Sequence, residues 1–168
     1  MAAVARVVAL DTLRSVHAGS ADLASALERG RARLADERDQ ALAAEIAIGT
    51  LRWRAALDHA IAWAGGRDVG AFDAGVLDIL RMSAYQLLHL DRVPAAAVVN
   101  DAVALARLRG HARAAGAVNA ILRRISRDRS RVPMPDPSDP RGFLSITWSH
   151  PAWLTDRWLA RLGFETAA

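Results

Sequence analysis

The chain has 168 residues, a formal net charge of +4 and no cysteine, and all 22 of its basic residues are arginine. This length fits one domain of ordinary size with room for an appendage. The lack of cysteine excludes disulfides, thiolate metal sites and a cysteine nucleophile within this segment, and no uncharged stretch approaches the length of a membrane span.

The first half of the chain shows apolar residues at helical spacing. Residues 1–10 form too short an apolar run for a signal peptide, so we expect a cytoplasmic protein. The spacing predicts a first helix over residues 3–17 and a second that begins with Ser20 as its N-cap and extends through Leu34. Asp36 is expected to cap a third helix, whose apolar stripe continues through Trp53 to Ile61 before the glycine-rich loop 65–70.

The second half continues this pattern. Apolar stripes predict further helices over residues 76–88, 94–106 and 114–125, and no segment of useful length alternates with period two. Strong helix formers dominate the composition, whereas threonine and aromatic residues are scarce. The prediction for residues 1–131 is therefore an all-α fold, a bundle of six to seven helices with short connections.

The residues after this bundle change character. Four of the six prolines lie within residues 128–140, and we assign residues 132–147 to a Pro-rich linker and connector. Residues 148–168 contain three of the five tryptophans, and Ser149 or His150 is expected to cap a helix whose first turn holds Pro151. Because its apolar stripe would stay uncovered, we expect this segment to begin a downstream domain of a longer protein.

Positive charge is concentrated in residues 107–131, where eight arginines and a single acid, Asp128, give a local net charge of +7. Four of these arginines fall near one face when the chain is wound at about 100° per residue: Arg113, Arg124, Arg127 and Arg131. Such a face attracts a polyanion, and a merely solvated helix face is the alternative. The patch lacks aromatic residues, so RNA contact there would favour backbone and shape over sequence.

Other polar residues lie within the apolar helices. Arg52 and Arg81 are expected to be structural, whereas Asn119 and Arg123, four residues apart, suit a structural role and RNA binding equally. The five histidines are scattered, and no metal-ligand spacing, P-loop or nucleophile elbow occurs. The sequence thus predicts no catalytic, cofactor or metal site in this segment.

Four motifs resemble those of the NusB family. Residues 45–52, with Leu57 and Asp58 just after them, are similar to its central helix, and residues 80–88 resemble its "LR…YQLL" helix. Residues 93–106 resemble the helix that follows, and residues 118–123 are similar to its "VNAVLR" motif. Together these motifs cover most of residues 1–131 in the family's order, and the resemblance implies an all-α fold that binds RNA.

Two groups of proteins share that fold. Free-standing NusB is a transcription antitermination factor that binds RNA beside a small ribosomal protein, and the Sun/Fmu (RsmB-type) 16S rRNA cytosine-5 methyltransferases carry a NusB-like N-terminal domain. Residues 145–154, with Arg157 and Trp158, are similar to the "S-HP-WL…RW" segment of the methyltransferases. The resemblance favours such an N-terminal domain, and an antitermination factor with a ribosomal protein partner is the alternative.

The resemblance also implies partners and chemistry. In the methyltransferases a cysteine attacks cytosine and S-adenosylmethionine supplies the methyl group, so this segment is expected to bind no cofactor and to hold 16S rRNA or dock on a downstream domain in cis. NusB contacts RNA through an arginine-rich first stretch, whereas only Arg6 precedes Arg14 here. The predicted RNA-binding residues are Arg6, Arg107, Arg109, Arg113, Asn119, Arg123, Arg124 and Arg127.

Overall fold

The computed structural model describes residues 3–168, and these residues form helices and no strands. The ten α-helices are α1 (Val4–His17), α2 (Leu23–Arg31), α3 (Glu37–Arg52), α4 (Arg54–Gly65), α5 (Ala74–His89), α6 (Ala95–Leu108), α7 (Ala115–Arg127), α8 (Pro140–Thr147), α9 (Ala152–Leu162) and α10 (Phe164–Ala167). The all-α prediction is confirmed, and α1–α7 match the predicted six to seven bundle helices. Residues 1 and 2, which belong to the predicted bundle 1–131 and to the apolar run 1–10, lie outside the described residues.

Helix α5 occupies the centre of the bundle. Twelve of its sixteen residues are buried, so no face of it is left to solvent over most of its length. It packs against α1, α3, α4, α6 and α7, which surround it. A helix that is apolar nearly all round is expected in such a position, and the buried polar side chains on it must then find partners.

Aspartates begin several of these helices. The side chain of Asp36 accepts a hydrogen bond from the Arg38 N–H and thereby caps α3, as predicted. The predicted start of the second helix is wrong, because Asp22 and not Ser20 caps α2 through the Ser25 N–H. That helix also ends at Arg31, before Leu34, so it is shorter than its apolar stripe suggested.

The predicted third helix is two helices. Its backbone turns at Trp53, which ends α3 and precedes α4. The stripe from Leu42 to Ile61 is continuous because both helices face the same core, and no glycine or proline marks the break. The Ala56 N–H in the first turn of α4 donates to Ser149 Oγ at 2.9 Å, so a residue distant in sequence supplies the cap.

Helices α3 and α5 approach each other most closely at Gly49. A Cβ atom placed there would lie 1.9 Å from Cζ of Tyr85. The Tyr85 hydroxyl donates to the Glu45 carboxylate one turn earlier on α3, and burial together with this hydrogen bond raises the pKa of Tyr85 to about 12. The ring of His89 stacks between Tyr85 and Trp53 at centroid distances of 5.1 and 4.9 Å, and this partial burial lowers the pKa of His89.

The residues after α7 lie against the bundle rather than away from it. The Pro133 carbonyl is 2.8 Å from Nε2 of His59 on α4, and Pro135 is buried. Residues 140–147 of the predicted connector form α8, whose Leu144 is fully buried and which packs on α4 and α9. The division at residues 131 and 147 stays a prediction.

The expected cap of the tryptophan-rich helix is wrong. Helix α9 begins after Pro151 with no side-chain cap, because Ser149 is directed to α4 and the His150 ring packs edge-on against Trp158. Part of the predicted apolar stripe stays exposed, since Trp153 and Leu162 are 66% and 51% accessible. These two side chains form no part of the bundle core.

The contact at Gly49 predicts a specific stability defect. Gly49→Ala places a methyl group inside the Tyr85 ring, so the helices must separate, and we expect a loss of about 2 kcal/mol in the free energy of unfolding measured with urea. Gly116→Ala on α7 is the matched control, because its Cβ would meet no atom within 4 Å. Equal stability of the two variants would contradict the close approach.

Candidate nucleic-acid interface

Helix α7 carries the basic surface. Five of its residues face the core (Ala115, Val118, Ile121, Leu122 and Ile125). The opposite face presents Arg123, Arg124 and Arg127, all exposed. The helix itself contains no acid, and Asp128 follows it directly. The helical period therefore separates an apolar face from a cationic one, as the sequence predicted.

The basic face of α7 is shorter than the helical spacing of the arginines suggested. Arg113 and Arg131 lie in 3-10 turns on either side of α7, at Ala112–Ala114 and Arg129–Arg131. Both are exposed, but neither continues the α-helical face of Arg124 and Arg127. The prediction of one continuous face of four arginines is therefore wrong, because the α-helix covers only its middle part.

A cleft of about 690 Å³ runs along one side of α7, between it and the end of α4. Four arginines line it, and no acid does: Arg67, Arg123, Arg124 and Arg127. The rest of its lining consists of glycine, alanine and Ile121. Small side chains thus leave room for a ligand while the arginines set the charge of the walls.

A second groove lies on the other side of α7, against α6. It consists of two adjoining hollows of about 380 and 430 Å³ that share Asn100. Asn119 and Arg107 line one of them, and Arg123 and Arg127 line the other. Arg123 Nε donates to Asn119 Oδ1 at 3.1 Å on the surface, so this pair ties one turn of α7 and leaves the Asn119 amide group available.

The arginines differ in how far they are already paired. Arg127 donates to Asp128 at 2.8 Å, and this hydrogen bond lowers the pKa of Asp128. The pair is exposed on the arginine side, so its stabilisation is small and Arg127 can reach other anions. Arg109 is half-buried and pairs with Asp11, which also binds Arg33. Arg109 is therefore committed to an intramolecular ion pair, unlike the exposed Arg107.

Arg6 is buried and paired, which disfavours a direct RNA contact, and its assignment to RNA binding stays a prediction. It is 7% exposed, its Nη1 lies 2.7 Å from Asp101 on α6, and its Nε donates to Gln86 on α5 at 2.7 Å. A buried guanidinium needs such partners because an unpaired buried charge costs several kcal/mol. Its position near the start of the chain gave no sign of this.

The two arginines expected to be structural have different environments. Arg81 on α5 forms two hydrogen bonds to the Asp58 carboxylate on α4, at 2.6 and 2.7 Å, and is structural as expected. Arg52 is exposed and lies over the ring of Trp53 at 5.8 Å, so its expected role inside the bundle is wrong.

Two residues of the basic surface lie outside residues 107–131, where the sequence concentrates its positive charge. Arg67 follows Gly66, which ends α4 with a left-handed φ of 64°, and it reaches the cleft beside α7. Trp63 lies under the guanidinium of Arg124, 4.5 Å from it, so the patch does contain an aromatic ring. Both precede α7 by about 50 residues, and only packing of α4 on α7 brings them there.

A metal centre and a membrane span are the other kinds of site that residues 3–168 could carry. No group of three or more histidine and acidic side chains in this range is arranged to hold a metal ion. No helix in the same range is both long and apolar enough to cross a bilayer. The basic surface of α7 is thus the best candidate for a binding site in this part of the chain.

Residues 3–127 match the sequence profile of the NusB family. The chain is 35% identical over 132 residues to a probable ribosomal RNA small subunit methyltransferase B of Bacillus subtilis, covering 78% of this chain and 29% of that protein. It is 39% identical over 165 residues to a putative methyltransferase of Mycobacterium tuberculosis, covering 95% and 36%. For a ribosomal RNA small subunit methyltransferase B of Pseudomonas putida the identity is 34% over 149 residues, covering 89% and 33%. The chain spans about a third of the length of these curated relatives.

The buried position of Arg6 predicts a stability effect without a binding effect. Arg6→Met leaves Asp101 without its cation, and we expect a loss of about 3 kcal/mol in the free energy of unfolding measured with urea. The double variant Arg6→Met, Asp101→Leu removes both charges and should recover much of that loss. RNA affinity should match that of the unchanged chain in any variant that stays folded, and a selective loss of affinity would instead identify Arg6 as an RNA contact.

Proposed function

The chain belongs to the NusB family, as its four motifs predicted, and on this premise we propose that it is the RNA-binding part of an S-adenosylmethionine-dependent 16S rRNA 5-methylcytosine methyltransferase. The names of the relatives support the substrate class, since they are ribosomal RNA small subunit methyltransferases. Its proposed role is to position rRNA for a catalytic domain. We place it in the cytoplasm, where that substrate is found.

The observation that carries the proposal is the concentration of positive charge on α7. Arg123, Arg124 and Arg127 project from one side of a helix without acids, and clefts lie on both sides of it. Guanidinium groups bind phosphate through two parallel N–H bonds, and each such contact releases counterions from RNA. Arg107, Arg113 and Asn119 extend the surface toward α6.

The cofactor does not suit the clefts of this segment. S-adenosylmethionine carries a cationic sulfonium, and the cleft between α4 and α7 is lined by four arginines and no acid. We therefore assign the methyl donor and the cysteine nucleophile to a domain in cis that this chain does not contain. The chemistry of this segment is then recognition of an anion, and its arginines hold the RNA backbone.

The tail supports contact with such a domain. Trp148, Trp153 and Leu162 are between 45% and 66% exposed, although large apolar side chains gain free energy when they leave water. The antitermination alternative has weaker support here. In that alternative, arginines of the first helix would bind the RNA. The first of them here, Arg6, is buried in an ion pair with Asp101.

Charge reversal on α7 tests the RNA-binding role. Arg123→Glu with Arg127→Glu should weaken binding to 16S rRNA transcripts more than tenfold at low salt, measured by filter binding. The slope of log affinity against log salt should fall by about 1.4, since each phosphate contact contributes about 0.7 on single strands. Arg124 is left in place because it also contacts the Ala64 carbonyl.

The matched control is Arg31→Glu with Arg38→Glu. Both arginines are exposed and lie on α2 and α3, and neither lines the clefts beside α7. This double variant changes the net charge equally and should leave affinity nearly unchanged. If the two double variants bind RNA alike, the assignment of the α7 surface is refuted.

A further inference from the structure

The cleft between α4 and α7 contains an arginine that sequence and family resemblance did not assign. Arg67 is exposed, and its guanidinium carbon lies 3.9 Å from the centroid of the Phe72 ring. Within residues 3–168 it forms no ion pair with a carboxylate. Its planar group is therefore held against a buried ring while its N–H donors stay available.

The opposite wall holds a second stacked arginine. Arg124 lies 4.5 Å from the ring of Trp63, and its Nη1 donates to the Ala64 carbonyl at 3.3 Å. That carbonyl is in the last turn of α4, where unpaired carbonyl oxygens repel an anion. Arg124 thus donates a hydrogen bond to one of these oxygens and adds positive charge. Both effects reduce the repulsion between this end of the helix and an anion.

Stacking reduces the entropy that binding would cost. An arginine side chain that is free in solvent loses about 1 kcal/mol of rotamer freedom when a ligand fixes it. Arg67 and Arg124 are each attracted to a ring face, which holds the planar fork near one orientation. Arg123 and Arg127 complete the lining of the same cleft.

We propose that the α4–α7 cleft is a binding site for a backbone phosphate of RNA, with Arg67 as its specific contact and Trp63 as a positioning residue for Arg124. This inference rests on the proposed function and deepens it, because it names the place where one phosphate is held. The phosphate oxygens accept hydrogen bonds from the guanidinium of Arg67 and from the arginines of α7. The small side chains of Gly65, Ala117 and Ala120 admit the strand to the cleft.

Arg67→Gln tests the contact. The probe is an oligouridylate of about 12 nucleotides. Its affinity for the 168-residue chain is measured by fluorescence anisotropy at salt concentrations from about 50 to about 500 mM, a range over which counterion release changes the affinity measurably. Loss of one single-strand phosphate contact should lower the log–log salt slope by about 0.7 and the affinity by about fivefold. Arg38→Gln, on α3, removes the same charge and should change neither quantity.

Substitution of Trp63 tests the positioning role without a change of charge. Trp63→Leu should weaken oligouridylate binding severalfold while the salt slope stays the same, because every arginine remains. Trp63→Phe keeps a ring beneath Arg124 and should retain most of the affinity. Thermal unfolding followed by circular dichroism reports whether each variant is folded. If Trp63→Leu does not fold, the affinity of Trp63→Phe tests the positioning role by itself.

The outcomes separate this inference from the proposed function. If Arg67→Gln behaves like Arg38→Gln while reversal of Arg123 and Arg127 abolishes binding, the α7 surface stands and the cleft site is overturned. A Trp63→Phe variant that binds as poorly as a folded Trp63→Leu variant would overturn the role of stacking. If the unchanged chain shows no salt-dependent RNA binding, both proposals fall.

Discussion

The partly buried ion pair between Arg81 on α5 and Asp58 on α4 fixes the geometry on which the binding surface depends. Its two hydrogen bonds have directions as well as lengths, so they set the rotation of α4 about its own axis. That rotation determines where Trp63 on α4, and Arg67 just after its end, meet α7. A core made of aliphatic contacts alone would tolerate rotation of α4 more readily, because such contacts have no direction.

Arginine has two separate uses in this chain. Arg6 and Arg81 are buried and bound to acids on other helices, whereas Arg67, Arg123 and Arg127 are exposed beside clefts. Because the chain contains no lysine, every exposed cation is a guanidinium that stays charged at any physiological pH and can bind phosphate with two donors. The basic surface is therefore insensitive to pH and sensitive to salt.

Periodicity sufficed for most of the bundle helices and for the charge of α7, but not for helix ends, for α8 in the predicted connector or for details that depend on distant contacts. The turn at Trp53 was hidden because α3 and α4 face one core, and α4 takes its cap from Ser149, far along the chain. The burial of Arg6 depends on Asp101, and the cleft depends on Arg67, about 50 residues before α7. No local pattern contains such pairs. The family motifs predicted the helical fold but not these side-chain contacts.

The cap that Ser149 supplies joins two regions that the sequence separates. Helix α4 is a rod of about 18 Å at 1.5 Å per residue, with the tail residue at its first turn and the arginine cleft at its last. A partner that docked on the tail would act directly on the start of this rod. If α4 then moved along its axis, the cap and the cleft would change together, and docking at one end would be thermodynamically linked to occupancy at the other.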